Sequence, residues 1–199
     1  ALHYAKGDYI FHLDYDDYIS DNYIKNLVNL FRDNEKCTTA TGLMITINDK
    51  NEIIQTLEKN NQRGRFTSGL ELAVAKTNKG NRMIALYGTP FAIKKSILLK
   101  NGGFDSMVDF TQIFKHGIMG DSGYDPNCIY YRRFGELQLQ YQIKRSGELV
   151  YGTLIKDYHD TDLFSFWEKN IGKQYANKFQ RYLFNSLEGG VITSLAINL

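Results

Sequence analysis

The sequence is short of the features that mark several broad protein classes. It has two cysteines, Cys37 and Cys128, in no metal-ligand or redox spacing, so a disulfide scaffold and a zinc module are both excluded. It has two prolines, no internal repeat and no low-complexity segment, which excludes a repeat array or a proline-rich linker. No apolar run reaches the ~18 residues that a membrane-spanning helix needs. Lys and Arg number 24 against 22 Asp and Glu, and a net charge of +2 is too small to imply a nucleic-acid partner. The N-terminus, "ALHYAKGDY", has neither an initiator methionine nor the apolar core of a secretory signal, and reads as a chain entered in mid-domain. Unpaired cysteines fit a reducing compartment, so the cytoplasm is the expected location.

What is present is a chain of 199 residues, 43% hydrophobic, able to bury a core of its own. "DYIFHL", Asp8 to Leu13, reads as a short buried strand, with His12 a satisfied core residue. Ser20 is the expected cap of a helix whose apolar face is Ile24, Leu27, Val28 and Phe31. "TTATGLMITIN" and "EIIQTLE" read as strands joined by a turn at "NDKN". "SGLELAVAKTN" reads as a helix opened by Ser68. "RMIALYGTPFAIKKSILLKNGGFD" reads as strand, turn, short strand and a helix closed by Gly102 and Gly103. Ser106 to Phe134 is irregular, expected as a long functional loop. Within it, "IYYRRF" is either a stacking and phosphate-contacting stretch or a half-buried strand. A helix ending at Gly147, one or two strands ending at His159, and two helical stretches complete the chain. Phe164, Trp167, Ile171, Tyr175 and Phe179 recur at helical spacing beside Lys169, Lys173, Lys178 and Arg181. This basic amphipathic stretch packs on a core or touches a membrane or partner. Strands alternating with helices give an α/β class with a mostly parallel sheet. The expected organisation is one domain over 1–185 and a tail over 186–199.

The chemistry concentrates in "GDYIFHLDYDDYIS". Asp14, Asp16 and Asp17 lie within four residues of one another, where an apolar strand ends. Like charges this close repel, and a divalent cation relieves them. Carboxylate oxygens suit Mn²⁺ or Mg²⁺, which need only one or two protein carboxylates when substrate phosphates complete the shell. A calcium loop of the EF-hand kind is excluded, because its required Gly and Glu positions hold Ile19 and Lys25. An aspartyl-phosphate hydrolase and a plain acidic helix-entry turn remain as alternatives.

The segment "AKGDYIFHLDYDDYISDNYI" resembles the D-x-D region of family 2 nucleotide-sugar glycosyltransferases. "YGTPFAIKKSILLKNGGFD" and "GELQLQYQIKRSGELVYGTLIKDYH" resemble two later blocks of that family, in the same order. The resemblance implies a GT-A-like, Rossmann-like sheet flanked by helices. The first strand and helix, which hold the base and ribose, are expected before Ala1. It also implies metal-dependent transfer of a sugar, with inversion, from a nucleotide-diphosphate donor to a hydroxyl of a saccharide, lipid-linked or protein acceptor. Asp14 is implied in donor binding, Asp16 in donor and metal binding, and His159 as a further metal ligand. Asp17 is implied as an outer-shell partner or a helix cap. Gly103, Phe104 and Asp105 are implied on the acceptor side. The general base is implied eleven residues before Gly147, at Glu136, where the family has Asp preceded by Glu and this chain has Gly135. The expected setting is the cytoplasm or the inner face of the membrane, with peripheral membrane contact or self-association. A non-catalytic binding or assembly module of the same fold is the alternative function.

Overall fold

The structure, a computed structural model, describes residues 2–56, 65–74, 76–77, 80–81, 91–104, 114–135 and 162–181. The chain divides into two compact units: Ala1–Asp105 with Gln112–Phe134, and Ser106–Thr111 with Gly135–Leu199.

The first unit is a mixed sheet with helices. Its elements are β1 (Tyr9–Phe11), β2 (Tyr18–Ile19), α1 (Tyr23–Asp33), β3 (Cys37–Ile47), β4 (Ile53–Thr56), β5 (Phe66–Ser68), α2 (Gly69–Val74), β6 (Lys76–Thr77), β7 (Gly80–Asn81), β8 (Ala92–Lys94), α3 (Lys95–Lys100) and β9 (Asp121–Arg133). The order along the sheet is β1-β8-β3-β9-β2. β4 takes the rest of the β8 edge of β3, and β5 pairs with β9 beyond β2. β6 and β7 form a separate two-stranded ribbon.

The α/β class expected from the sequence is what the structure shows. The sheet itself is mixed. Its longest ladder, ten aligned pairs between β3 and β9, is parallel, and the shorter described ladders are antiparallel. β8 runs against both β1 and β3, so β1, β3 and β9 all point the same way.

α1 lays Tyr23, Leu27, Leu30 and Phe31 on the sheet, and all four are buried. The spacing of one turn, then less than one, then a single residue puts them on one helical face. Tyr9 stacks on Phe31 with centroids 4.4 Å apart, and Phe11 meets Tyr23 at 5.3 Å. Ser20 does not cap this helix. Its N–H donates to the Ile129 carbonyl at 2.9 Å and its Oγ accepts from the Ile129 N–H at 3.1 Å, so it is committed to β9. The helix begins two residues later than expected, at Tyr23 with Asn22 at its N-cap.

The largest departure from expectation is β9. Ser106 to Phe134 was expected as an irregular loop, yet Asp121–Arg133 is a central strand paired on both edges. A proline inside the stretch argues against a central strand, because it cannot donate to a ladder. The fold resolves this with a bulge. Gly42 pairs with Asp125 and the next residue, Leu43, pairs with Ile129. Pro126 and Asn127 are thereby exposed outside the ladder, and Asp125 Oδ1 accepts from the Asn127 N–H at 2.9 Å to close the kink. Gly42 is required opposite this bulge: a Cβ there would lie 2.0 Å from the Cys128 carbonyl oxygen.

Smaller differences follow local chemistry. The helix expected from Ser68 to Asn78 is six residues long, and a β6–β7 ribbon takes over where the side chains become polar. The strand expected at 82–87 lies outside the described residues. The "NDKN" turn forms as expected: Asn48 Oδ1 accepts from the N–H groups of Lys50 and Glu52, each at 2.9 Å.

In the second unit the amphipathic stretch divides into two helices, α4 (Leu163–Ile171) and one over 173–181. Gly172, at φ 82°, breaks it, with its N–H closing onto the Glu168 carbonyl at 3.1 Å. Trp167 and Phe179 are both buried and meet edge to face at 5.4 Å.

Candidate functional site

Residues 12–17 join β1, at one end of the five-strand path, to β2, at the other. The three aspartates are therefore carried past the carboxyl end of β1 to the carboxyl end of β9. In open α/β sheets ligands bind beyond the carboxyl ends of the strands, where backbone and side chains from several strands converge. Asp14 is exposed and Asp16 half-buried. The Asp17 N–H donates to the Asp14 carbonyl at 3.2 Å, which closes a tight turn across the motif.

His12 is not a core residue, as the sequence led us to expect. β1 ends at Phe11, and the His12 ring is mostly exposed, with Nδ1 3.9 Å from Asp14 Oδ1. Asp17 is not the cap of α1 either, since that helix starts at Tyr23. Instead both Asp17 oxygens are used on β9. Oδ1 accepts from the Arg133 N–H at 2.7 Å, and Oδ2 accepts from the Tyr130 hydroxyl. Burial raises the Asp17 carboxyl above its ordinary range. The Tyr130 hydroxyl and Arg133 N–H oppose that shift, and the charges of Asp16 and Asp14 add to it.

Arg133 completes the frame. Its Nε donates to the Asp16 carbonyl at 3.3 Å, one guanidinium nitrogen to the Asn48 carbonyl at 3.2 Å, and the other to Asn51 Oδ1 at 2.9 Å. One side chain thus ties the aspartate turn to the β3–β4 turn. "IYYRRF" is accordingly a paired strand: Tyr131 stacks on Tyr18 at 4.5 Å, across the β2–β9 ladder. Of the two sequence readings of "IYYRRF", the half-buried strand is the one the structure bears out, but neither reading linked Tyr130 and Arg133 to the aspartate turn, a link that only the tertiary fold makes.

The remaining expected residues divide into two groups. Gly103 and Phe104 follow α3, which Gly102 and Gly103 close at φ 92° and 83°, with the Gly103 N–H on the Leu98 carbonyl at 2.8 Å. Phe104 is half exposed. Asp105, Glu136 and His159 lie outside the described residues. Among the described residues no group of three His, Cys, Asp or Glu side chains forms a closed metal cage. Two hard carboxylates on an accessible turn still fit Mn²⁺ or Mg²⁺ when a diphosphate supplies the other oxygens. Both cysteines are free and buried, as expected of packing residues.

A family model described as "Glycosyl transferase family 2" matches residues 1–98, from before β1 into α3. Residues 1–98, just under half of the chain, are thus similar to glycosyl transferase family 2. The family 2 segment contains the whole aspartate turn, and its GT-A-like, mixed α/β sheet is the one described above. β9 lies beyond the matched residues although it is central to the same sheet. No curated protein matches the chain.

Proposed function

We propose that the chain carries out metal-dependent, inverting transfer of a sugar from a nucleotide-diphosphate donor to an acceptor hydroxyl. The observation that carries this reading is the position of Asp14 and Asp16. They form a D-x-D turn beyond the carboxyl ends of co-directional strands, inside the family 2 segment. Asp16, with His159, is assigned to hold the cation, and Asp14 to bind the donor. When bound, Mn²⁺ or Mg²⁺ supplies Lewis-acid neutralisation of the leaving diphosphate. Glu136 is assigned to accept the proton of the attacking hydroxyl, a role that contributes about 10²–10⁴-fold in general-base catalysis. Inversion follows from a single displacement, in which the acceptor oxygen attacks the anomeric carbon opposite the departing diphosphate. Gly103, Phe104 and Asp105 are assigned to the acceptor side, where a saccharide, lipid-linked or protein hydroxyl enters.

The test is direct. Donor turnover is measured with Mn²⁺, Mg²⁺ or chelator, using a panel of UDP-, GDP- and dTDP-sugars, on the wild type and Asp16→Ala. Metal-dependent transfer abolished by Asp16→Ala supports the reading. Binding of nucleoside diphosphate without transfer in any condition would favour the non-catalytic module. Hydrolysis of a phosphomonoester would favour the hydrolase.

A further inference from the structure

We propose that Asp17 is a positioning residue: it bolts the aspartate turn to β9 through Tyr130 and Arg133, making β9 part of the donor site. The inference rests on the reading of Asp14 and Asp16 given above. Asp17 lies next to Asp16 in sequence, yet both of its oxygens are taken by β9. A carboxylate so engaged acts on a ligand through its neighbours.

The anchor on the β9 side is stiff. The Tyr130 ring is fully buried and packs against Tyr23, 6.4 Å between centroids, so its hydroxyl has little freedom. The Arg133 N–H belongs to the end of a strand that pairs with β3 on both sides of its bulge. Two other ties of the turn are longer: the Asp17 N–H to Asp14 bond at 3.2 Å and the Arg133 Nε contact with the Asp16 carbonyl at 3.3 Å. Without the Asp17 clasp, the backbone carrying Asp14 and Asp16 stays joined to the sheet through Tyr18 and Arg133 but loses the side-chain bonds that fix the turn to the end of β9. Groups that orient metal ligands from behind typically change metal affinity by about 10–100-fold when removed. Direct ligation and positioning differ in what the charge does. A ligand needs its negative charge, whereas a clasp needs an oxygen acceptor in the right place.

The experiment titrates Mn²⁺ by the paramagnetic resonance of the free ion. The ion is used alone and with UDP, GDP or dTDP, on the wild type, Asp17→Ala, Asp17→Asn and Tyr130→Phe. Near-ultraviolet circular dichroism checks the fold of each. Asp17→Ala is expected to weaken Mn²⁺ binding by about 10–100-fold. Tyr130→Phe, which keeps the buried ring, is expected to weaken it by about tenfold. Asp17→Asn keeps an oxygen for the Arg133 N–H and an amide for the Tyr130 hydroxyl, and is expected to stay within about threefold of wild type. An Asp17→Asn variant as weak as Asp17→Ala overturns the proposal in favour of direct ligation. Wild-type affinity in both Asp17→Ala and Tyr130→Phe overturns it in favour of a purely structural clasp. A wild type that binds no Mn²⁺ under any condition overturns the functional reading itself, and this inference with it.

Discussion

Replacing Gly42 with alanine should damage the protein more than any exposed substitution, and should do so through β9. The added Cβ would stand 2.0 Å from the Cys128 carbonyl oxygen, 2.6 Å from Cys128 Cβ and 2.8 Å from its carbonyl carbon. Two of these three neighbours are backbone, so no rotamer change relieves the clash. The strands must part by about 1.5 Å, since an ordinary contact between non-bonded heavy atoms lies near 3.5 Å. Parting them stretches the ladder bonds on either side of the bulge. Two weakened bonds cost about 1 kcal/mol each. Overpacking of a close-fitted core costs about 1–3 kcal/mol more. The sum is about 3 kcal/mol or above, and for a chain of this length each kcal/mol lowers Tm by about 2–4 °C. A fall of about 6–12 °C is therefore expected in a thermal melt followed by circular dichroism. Two controls isolate the cause. Gly7→Ala, whose Cβ would meet only the Tyr9 carbonyl at 3.5 Å, should melt like wild type. Gly172→Ala, at φ 82° with open space around it, should cost about 1 kcal/mol from backbone strain alone. A Gly42→Ala protein melting within about 2 °C of wild type would refute the β3–β9 register, and with it the placement of Tyr130 and Arg133 behind the aspartate turn.

The proposed function gives one further expectation and the structure gives the others. Glu136→Gln should lower turnover by about 100-fold or more while donor affinity stays within about twofold, because an amide cannot take the acceptor proton. Near-normal turnover would remove Glu136 from the mechanism. Burial pushes the Cys37 thiol up to about 11 and the Cys128 thiol up to about 12. At pH 8 neither should react with a disulfide reagent until the protein is unfolded, when both should react; prompt labelling of the native protein would contradict their burial. The same shifts fix a direction in pH. The folded thiols hold their protons above the unfolded value of about 8.5, so their contribution to stability is complete below that pH and is lost as pH rises towards 11–12. A Tm that stays flat from pH 8 to about 10.5 would count against it. The chain's single tryptophan, Trp167, is buried, so its emission should be blue-shifted and shielded from acrylamide until the helices over 163–181 open.

Much of the first unit was legible because its signals are local. The alternation of "TTATGLMITIN" marked β3, the spacing of Ile24, Leu27, Val28 and Phe31 marked α1 although Tyr23 and Leu30 rather than Ile24 and Val28 complete its buried face, and two glycines marked the end of α3. The D-x-D motif also showed in sequence, because the repulsion of adjacent carboxylates needs no tertiary context to be noticed. The α/β class and the family were carried by these same residues. What the sequence could not decide was partnership at long range. β9 carries a proline, a glycine and several polar residues, and only its pairing with β3 and β2, more than eighty residues upstream, makes it a strand. Propensity in a strand reflects packing against neighbours more than any intrinsic preference, so a central strand with a bulge is hidden from local reading. The helix-cap readings of Ser20 and Asp17 failed for the same reason. Either could cap a helix by composition, and the tertiary structure spent both on β9, because buried N–H and hydroxyl groups there required acceptors and these oxygens were within reach.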